Sequence, residues 1–341
     1  MSTATWPSPA LPDLRDTPPL RWGIAGAGAI AHDWVRALHA HTSQRVHAVA
    51  ARDSARAAAF AGAHGIPRSY GSYAALADDA AVDIVYVATT TEHHLGTALQ
   101  LIAAGKHVLV EKPLGCTAAE ARQIAAAARQ SGVYARENIW TLDLPHTRVI
   151  ERVIGDGAIG EVQVVEADFS VAFDPIESAR VFAPSIGAGA LLDVGIYPLS
   201  FAQRLVGPPL ETRTVGALTD QGVDRRAVVV SRHADDALSI STTALDIDRP
   251  NLATIVGSRG RIDVRTDFYC PASFDLVADG RTRTWHPDPA IAGRDGLCHT
   301  AVAAAADIHA GRTAEIALTA SIGVLETIDE ARRQLQVTAV L

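Results

Sequence analysis

Few cysteines and no long apolar segment characterise this sequence, and both absences narrow the class of protein. The three cysteines, Cys116, Cys270 and Cys298, are odd in number and lack CxxC or other metal-ligand spacing. We therefore expect free thiols in a reducing compartment, the cytoplasm, and no metal site. No apolar run reaches the roughly 18 residues that span a bilayer, so no membrane partner is expected.

Positive charge is also scarce. The chain has 30 Lys and Arg against 38 Asp and Glu, a formal net charge of −8. Nucleic-acid-binding proteins usually carry a basic face, so a nucleic-acid partner is excluded. The first twenty residues lack the basic start and apolar core of a signal peptide, and we interpret residues 1–20 as a flexible leader. A length of 341 residues suits two domains.

Residues 21–140 alternate strand-like and helix-like segments. The segment 82–88 is β-branched and almost continuously apolar, as expected for a strand buried on both faces. Regular alternation with short turns predicts a parallel sheet covered by helices, an α/β dinucleotide-binding domain of the Rossmann type. Strands are predicted at 21–25, 45–51, 69–70, 82–88, 106–110 and 134–139.

Residues 141–341 have a different pattern, with strands joined by turns and few helices until 297–310 and 316–334. It predicts an α+β domain on a largely antiparallel sheet, for substrate binding and oligomerisation. Strands are predicted at 162–171, 226–232, 237–245, 253–256 and 261–264.

A glycine-rich turn follows the first predicted strand. The sequence Gly23-Ile24-Ala25-Gly26-Ala27-Gly28-Ala29-Ile30-Ala31 contains Gly-x-Gly-x-x-Ala. Gly26 permits a tight turn, Gly28 lets a pyrophosphate approach the backbone, and Ala31 lets the helix pack close to the strand. The pyrophosphate would lie at the helix N-terminus, beside Ala29 and Ile30.

The end of the second strand bears on the choice of cofactor. An NAD site carries a carboxylate there for the ribose, but this chain has Ala51 followed by Arg52. A guanidinium without that carboxylate suits a 2′-phosphate, so NADP is favoured, with NAD as the alternative. Arg52 could instead be a solvated surface residue, and Asp53 is better explained as a helix cap.

Two further motifs carry a family resemblance. Glu111-Lys112-Pro113 ends a predicted strand, and the second domain contains Gly187-Ala188-Gly189-Ala190-Leu191-Leu192-Asp193-Val194-Gly195-Ile196-Tyr197-Pro198. Together with the glycine turn, these motifs resemble the Gfo/Idh/MocA oxidoreductase family. The resemblance covers essentially everything after residue 20.

The resemblance assigns roles in the first domain. It implies that Lys112 is the catalytic lysine, that the Lys112–Pro113 peptide is cis, and that Glu111 lies near the nicotinamide ribose. Thr89 begins a loop that contacts the cofactor and contains the family histidine, His94. In that loop Thr90 and Thr91 replace the Pro and Asn of many relatives.

Tyr197 occupies the position where many members have an acid/base histidine. Tyrosine there is similar to the branch that contains dimeric dihydrodiol dehydrogenase, glucose–fructose oxidoreductase and NADP-dependent D-xylose 1-dehydrogenase. Relatives of dihydrodiol dehydrogenase often have Arg after Trp-Thr, whereas this chain has Leu142 and then Asp143. We therefore expect an altered substrate pocket.

The implied chemistry removes a proton from oxygen and a hydride from carbon. Tyr197 would be the base if a cation such as Lys112 lowers its pKa from about 10. Asp193 would bond to a substrate hydroxyl, orient Lys112, or serve only as a helix cap. Trp140 would line the pocket or belong to the core, and His94 would be structural or line the cofactor.

These residues predict an NAD(P)-dependent dehydrogenase or reductase acting on a sugar, polyol or cyclic diol. One alternative is a sugar oxidoreductase whose tightly bound cofactor cycles between two substrates. A second is a regulatory protein that binds a dinucleotide without turnover, because fold does not dictate function. From the resemblance we also expect a homodimer or homotetramer formed through one face of the antiparallel sheet.

Overall fold

The computed structural model describes residues 5–336, and its contacts divide them into two compact units. The parallel-sheet unit comprises residues 12–140 and 293–322. The mixed-sheet unit comprises residues 5–11, 141–292 and 323–336. The sequence analysis expected two continuous domains, 21–140 and 141–341, whereas each of these units combines separate segments of the chain.

The parallel-sheet unit has six strands in the order β3-β2-β1-β4-β5-β6, and all neighbours are parallel. This is the strand order of the Rossmann fold, which confirms the predicted fold class. The strands are β1 (Arg21–Ala25), β2 (Arg45–Ala50), β3 (Arg68–Tyr70), β4 (Ile84–Val87), β5 (His107–Glu111) and β6 (Ala135–Asn138). The helices between them are α1 (Ala29–His41), α2 (Ser54–His64), α3 (Tyr73–Ala77), α4 (His94–Ala103) and α5 (Ala118–Ser131).

Local sequence explains where these elements begin. All four residues of β4 are buried, as its continuous apolar pattern predicts. Side-chain caps satisfy N-terminal amides of three helices: Asp53 accepts from Ala55 N and Arg56 N, Ser72 caps α3, and Thr117 caps α5. The prediction that Asp53 is a helix cap is confirmed.

The mixed-sheet unit contains an eight-stranded sheet in the order β14-β13-β12-β11-β7-β10-β9-β8. Only β7 and β10 pair in parallel, so the expected largely antiparallel sheet is confirmed. The helices that lie wholly in this unit are α6 (Pro145–Gly155), α7 (Ala179–Phe182), α8 (Ala190–Asp193) and α9 (Ile196–Val206). The strands are β7 (Val162–Ser170), β8 (Glu211–Leu218), β9 (Asp224–Arg232), β10 (Leu238–Ala244), β11 (Ala253–Gly257), β12 (Gly260–Val264), β13 (Phe274–Ala278) and β14 (Arg281–Trp285).

Helix α9 packs against β7 and β10 and covers one face of this sheet. The sheet also includes three strands that the sequence pattern did not predict, β8, β13 and β14. Strand β14 has no buried residue, so it lacks the apolar alternation by which strands are recognised.

The last two helices among the described residues are α10 (Cys298–His309) and α11 (Glu315–Leu335). The sequence analysis placed both in the second domain, whereas the contacts group α10 and the first part of α11 with the parallel-sheet unit. Tyr134 Oη lies 3.1 Å from Asp307 Oδ2, and Arg129 forms an ion pair with Glu315. Such contacts across more than 170 residues leave no local trace in the sequence.

Residues 5–20, expected to be a flexible leader, make specific contacts. Trp6 packs edge-on against Phe274 with ring centroids 5.3 Å apart, and the Arg283 guanidinium lies 4.2 Å from the Trp6 ring. In the parallel-sheet unit, Ser43 Oγ donates to Thr17 O at 2.7 Å. Residues 1–4 lie outside the described part of the chain. Within residues 5–336, no helix has the length and apolarity needed to cross a membrane.

Candidate active site

The glycine turn between β1 and α1 combines a close backbone contact with an open surface. Gly26 has φ +110°, and a Cβ atom there would lie 2.5 Å from Ala88 O, so only glycine fits. Gly28 precedes α1 with φ −97°, and a Cβ atom there would meet nothing within 4 Å. No side chain caps α1, so its first amides remain available to an anion. The backbone therefore fits a pyrophosphate at Gly28.

A pocket of about 420 Å³ opens beside this turn. It is lined by Ala27, Gly28, Ala29, His32, Arg56, Ala59 and Phe60. Arg56 is exposed, and its Nε donates to Ala27 O at 3.0 Å, which holds the guanidinium at the mouth of the turn. The sequence analysis did not single out Arg56, although its position in the first turn of α2 was a signal.

Arg52, the predicted phosphate ligand, is exposed just beyond β2. Burial raises the pKa of Tyr73, whereas the charges of Arg52 and Arg56 act to lower it. Both guanidinium groups are thus close enough to act on one phenol. Ala51, at the position of the usual ribose carboxylate, is buried.

Glu111 ends β5 and is buried beneath the backbone of Lys112. Its Oε1 accepts hydrogen bonds from Tyr86 Oη at 2.7 Å and Asn138 Nδ2 at 2.6 Å, and its Oε2 accepts from Lys112 N at 3.0 Å. Burial raises the pKa of Glu111, and these donors oppose that rise. The Lys112–Pro113 peptide is cis, as the resemblance implied. Glu111 therefore fixes the segment that carries the candidate lysine.

His94 holds the next part of the same segment. It is buried, with Nδ1 2.8 Å from Pro113 O and Nε2 3.2 Å from Thr89 O. Burial lowers the pKa of His94 to about 4, so the imidazole is neutral near pH 7. A neutral imidazole donates only one of these two bonds. His94 thereby connects the loop after β4 to the lysine segment.

Glu137, on β6, is a third buried ionisable group here and was not predicted. Its Oε1 accepts from Leu114 N at 2.8 Å, and its Oε2 accepts from Ser321 Oγ at 2.6 Å. Burial raises its pKa, and the negative charge of Glu111 acts in the same direction. Three side chains from three elements thus hold the three consecutive residues that begin at Lys112.

In the mixed-sheet unit, Tyr197 lies in the first turn of α9 within an aromatic cluster. Its ring centroid is 5.1 Å from that of Phe169 and 5.6 Å from that of Tyr269, and Phe169 and Tyr269 stack at 3.9 Å. Tyr197 is 8% exposed, so most of the residue is buried. Neither Phe169 nor Tyr269 was predicted, because nothing in the local sequence distinguishes them from core residues.

Asp193 ends α8, and its amide donates to Gly189 O at 3.1 Å. Its Oδ1 lies 3.4 Å from Arg180 Nη2, so an arginine already faces this carboxylate. Asp193 and Tyr197 both belong to the mixed-sheet unit. Trp140, in contrast, belongs to the parallel-sheet unit, where it is buried at 4% exposure.

The remaining predicted site residues belong to the parallel-sheet unit, at or just beyond the carboxyl ends of its strands, where Rossmann proteins bind ligands. They are Gly26, Gly28, Ala29, Ile30, Arg52, Thr89, His94, Glu111, Lys112, Pro113 and Trp140. No group of three or more metal-ligating side chains occurs among the residues that the structure describes.

The strand order and the glycine turn define a dinucleotide-binding protein of the Rossmann class. Comparison with known proteins identifies the family. Residues 20–138 match the Gfo/Idh/MocA oxidoreductase family model with its NAD-binding Rossmann fold, and residues 147–263 match the Gfo/Idh/MocA C-terminal domain. The chain belongs to this family of NAD(P)-dependent oxidoreductases.

Relatives extend the similarity along most of the chain. A trans-1,2-dihydrobenzene-1,2-diol dehydrogenase from Danio rerio is 37% identical over 328 residues, 93% of this chain and 97% of the relative. The enzyme of that name from Homo sapiens is 34% identical, covering 79% and 81%. A 3-ketoreductase from Actinomadura kijaniata, solved with NADP and TDP-benzene, is similar in structure at TM-score 0.81 and 26% identity, covering 93% and 98%.

Proposed function

We propose that this protein is an NADP-dependent dehydrogenase or reductase that transfers hydride between the nicotinamide and a vicinal diol or sugar hydroxyl. Tyr197 acts as the acid/base and Lys112 as its electrostatic partner. The observation that carries the cofactor assignment is Arg56 at the mouth of the open turn at Gly28, together with the exposed Arg52 just beyond β2.

The arginine pair supports NADP over NAD on chemical grounds. A 2′-phosphate carries up to two negative charges, and guanidinium groups form charge-assisted hydrogen bonds with its oxygens. The buried methyl of Ala51 offers no acceptor to a ribose 2′-hydroxyl. The 3-ketoreductase from Actinomadura kijaniata was also solved with NADP.

The proposed chemistry assigns one task to each side chain. A dinucleotide held at the glycine turn would supply the hydride acceptor in oxidation and the hydride donor in reduction. Tyr197 takes the hydroxyl proton in oxidation and returns it in reduction. The Lys112 ammonium stabilises the negative charge that develops on the substrate oxygen. Glu111, His94 and Glu137 hold the backbone of residues 112–114 in place.

The aromatic cluster supports a ring-shaped substrate. Phe169 and Tyr269 stack with ring planes 10° apart, and both lie beside the Tyr197 ring. Tyr269 is only partly buried, and an aromatic side chain next to an acid/base residue suits a cyclic diol or a pyranose, whose carbon faces are apolar. The relatives named trans-1,2-dihydrobenzene-1,2-diol dehydrogenase favour the cyclic diol.

A substrate screen tests this function. The purified protein is mixed with NADP⁺ or NAD⁺ and with cyclic vicinal diols, aldoses or acyclic polyols, and formation of the reduced nicotinamide is followed by absorbance. We expect turnover with NADP⁺ and a cyclic diol or aldose. Absence of turnover with every alcohol, and with the matching carbonyl compounds and NADPH, would exclude the proposal and favour a binding protein.

We further propose a homodimer or homotetramer in the cytoplasm. Four apolar side chains, Val215, Val228, Val230 and Leu238, are 39–77% exposed on β8, β9 and β10. A second copy covering them would remove apolar surface from water. Light scattering of the purified protein would give the oligomeric state.

The cysteines bear on the proposed cytoplasmic location. All three lie in the described residues and none forms a disulfide, which suits a reducing compartment.

A further inference from the structure

One buried carboxylate lies outside all the motifs discussed above. Asp224, the first residue of β9, is fully buried, and its Oδ2 accepts a hydrogen bond from Leu191 N at 2.7 Å. Leu191 is the second residue of α8, the short helix that ends at Asp193. Asp224 therefore caps, from a distant strand, the helix that precedes Tyr197.

The Asp224 carboxylate lies so close to the backbone of residue 189 that no side chain fits at that position. A Cβ atom at Gly189 would lie 2.1 Å from Asp224 Oδ1, and Gly189 has φ +105°. Both the space and the backbone conformation therefore require glycine here. The second glycine of the motif Gly187-Ala188-Gly189 thus provides room for this carboxylate.

A buried arginine holds the other end of the same loop. Arg332, on α11 in the mixed-sheet unit, is 7% exposed, and its Nη1 donates to Ile186 O at 3.1 Å. Burial raises the pKa of Asp224 to about 6, while the Leu191 amide and the Arg332 charge act to lower it. Opposite charges from two elements thus bracket residues 186–191.

The bracketed loop leads directly into the candidate acid/base. Helix α8 is followed by Gly195, whose amide donates to Ala190 O at 2.7 Å, and by Tyr197, whose amide donates to Val194 O at 3.2 Å. These hydrogen bonds transmit the position of Ala190 and Leu191 to the first turn of α9. A displaced loop would therefore move Asp193 and Tyr197 together.

We propose that Asp224 and Arg332 are positioning residues for the reaction, which hold the loop 186–191 so that Asp193 and Tyr197 keep their catalytic placement. This inference rests on the proposed function of Tyr197. The two residues act through the backbone, so their loss affects the chemical step more than cofactor binding.

Kinetics of four variants test the proposal. A shift of about 1 Å at a reacting group lowers rates by about 100-fold, so we expect Asp224→Ala to lower kcat by about 10- to 100-fold. Asp224→Asn keeps an acceptor oxygen and should lose less. Arg332→Gln should also lower kcat, and the double variant Asp224→Asn/Arg332→Gln should lose less than the product of the single losses. Dissociation constants for NADPH should stay within about threefold, a change of less than 1 kcal/mol.

Asp275→Asn is the matched control, because it removes a carboxylate charge on β13 whose partners are Arg265 and Thr284. It should leave kcat unchanged. Rates are expressed per folded protein, measured well below each variant's Tm. A fall in activity that only follows the folded fraction, or kcat within twofold of wild type in Asp224→Ala and Arg332→Gln, overturns the proposal.

Hydrogen exchange separates this proposal from the proposed function. Peptides covering residues 186–197 should exchange faster in Asp224→Ala, which removes the acceptor for Leu191 N, than in the wild type, and peptides from β13 should not. Faster exchange in a protein that turns over no alcohol means that Asp224 does hold the loop 186–191 but that the proposed function is wrong. Unchanged exchange of residues 186–197 in an active enzyme overturns the positioning role alone.

Discussion

Gly26 lies against the carbonyl group of Ala88, where a Cβ atom would be 2.5 Å from the oxygen, whereas a Cβ atom at Gly28 would contact nothing within 4 Å. Two glycines of one motif therefore have different tasks. Gly26 is required by the fold, because its φ of +110° and its contact exclude a side chain. At Gly28, a side chain would meet no clash in the protein without a ligand, and the space that glycine leaves there is available to a ligand.

Alanine at each glycine should separate these tasks. Gly26→Ala should lower the free energy of unfolding by about 2 kcal/mol or more, through backbone strain and overpacking. Gly28→Ala should leave stability within about 0.5 kcal/mol and weaken NADPH binding by about tenfold. Urea unfolding and fluorescence titration measure the two effects. Equal loss of stability in both variants would contradict the division of tasks.

Removal of either arginine should reduce the preference for NADP. Hydrogen bonds to charged groups contribute about 1.5–3 kcal/mol, so Arg52→Ala and Arg56→Ala should each raise the KM for NADP by about 10- to 100-fold. The KM for NAD serves as the control and should change little, because NAD lacks the 2′-phosphate. Equal effects on the two cofactors would show that these residues do not read the phosphate.

Loss of Lys112 or Tyr197 should affect turnover far more than cofactor binding. General acid–base catalysis contributes about 10²- to 10⁴-fold, so Tyr197→Phe should lower kcat by that factor while the ring keeps its contacts with Phe169 and Tyr269. Lys112→Met should have a similar effect. Steady-state kinetics and NADPH titration measure the two quantities, and full turnover in either variant would refute the mechanism.

Acid should destabilise the parallel-sheet unit through His94. Its pKa falls from 6.5 to about 4 on burial, so its neutral form stabilises the fold above pH 6.5, and this contribution is lost as the pH falls towards 4. A shift of this size corresponds to about 3 kcal/mol. Urea unfolding at several pH values should show the loss between these limits, with a smaller slope in His94→Gln. Burial also lowers the pKa of His39 to about 4, so His39 adds to the loss of stability between pH 6.5 and 4. Because the wild type and His94→Gln both contain His39, the difference between their slopes reports on His94. Equal slopes in both would contradict the assignment.

Local sequence was sufficient for the parallel sheet and for the cofactor turn. The apolar run of β4, the cap at Asp53 and the glycines at 26 and 28 each act within a few residues of their own position, so their patterns can be read directly. Lys112 and Tyr197 were found through motifs of the same short range. The sequence by itself therefore determined the fold class, the family and the candidate residues for catalysis.

Only the tertiary structure decided what holds those residues in place. Glu137 bonds to Leu114 and Ser321, Asp224 bonds to Leu191, and Tyr269 stacks on Phe169. The partners in these pairs are 23 to 184 residues apart in the sequence. A buried carboxylate needs a donor, but no periodicity in the sequence states which amide supplies it, because the pairing follows from how the strands and helices pack.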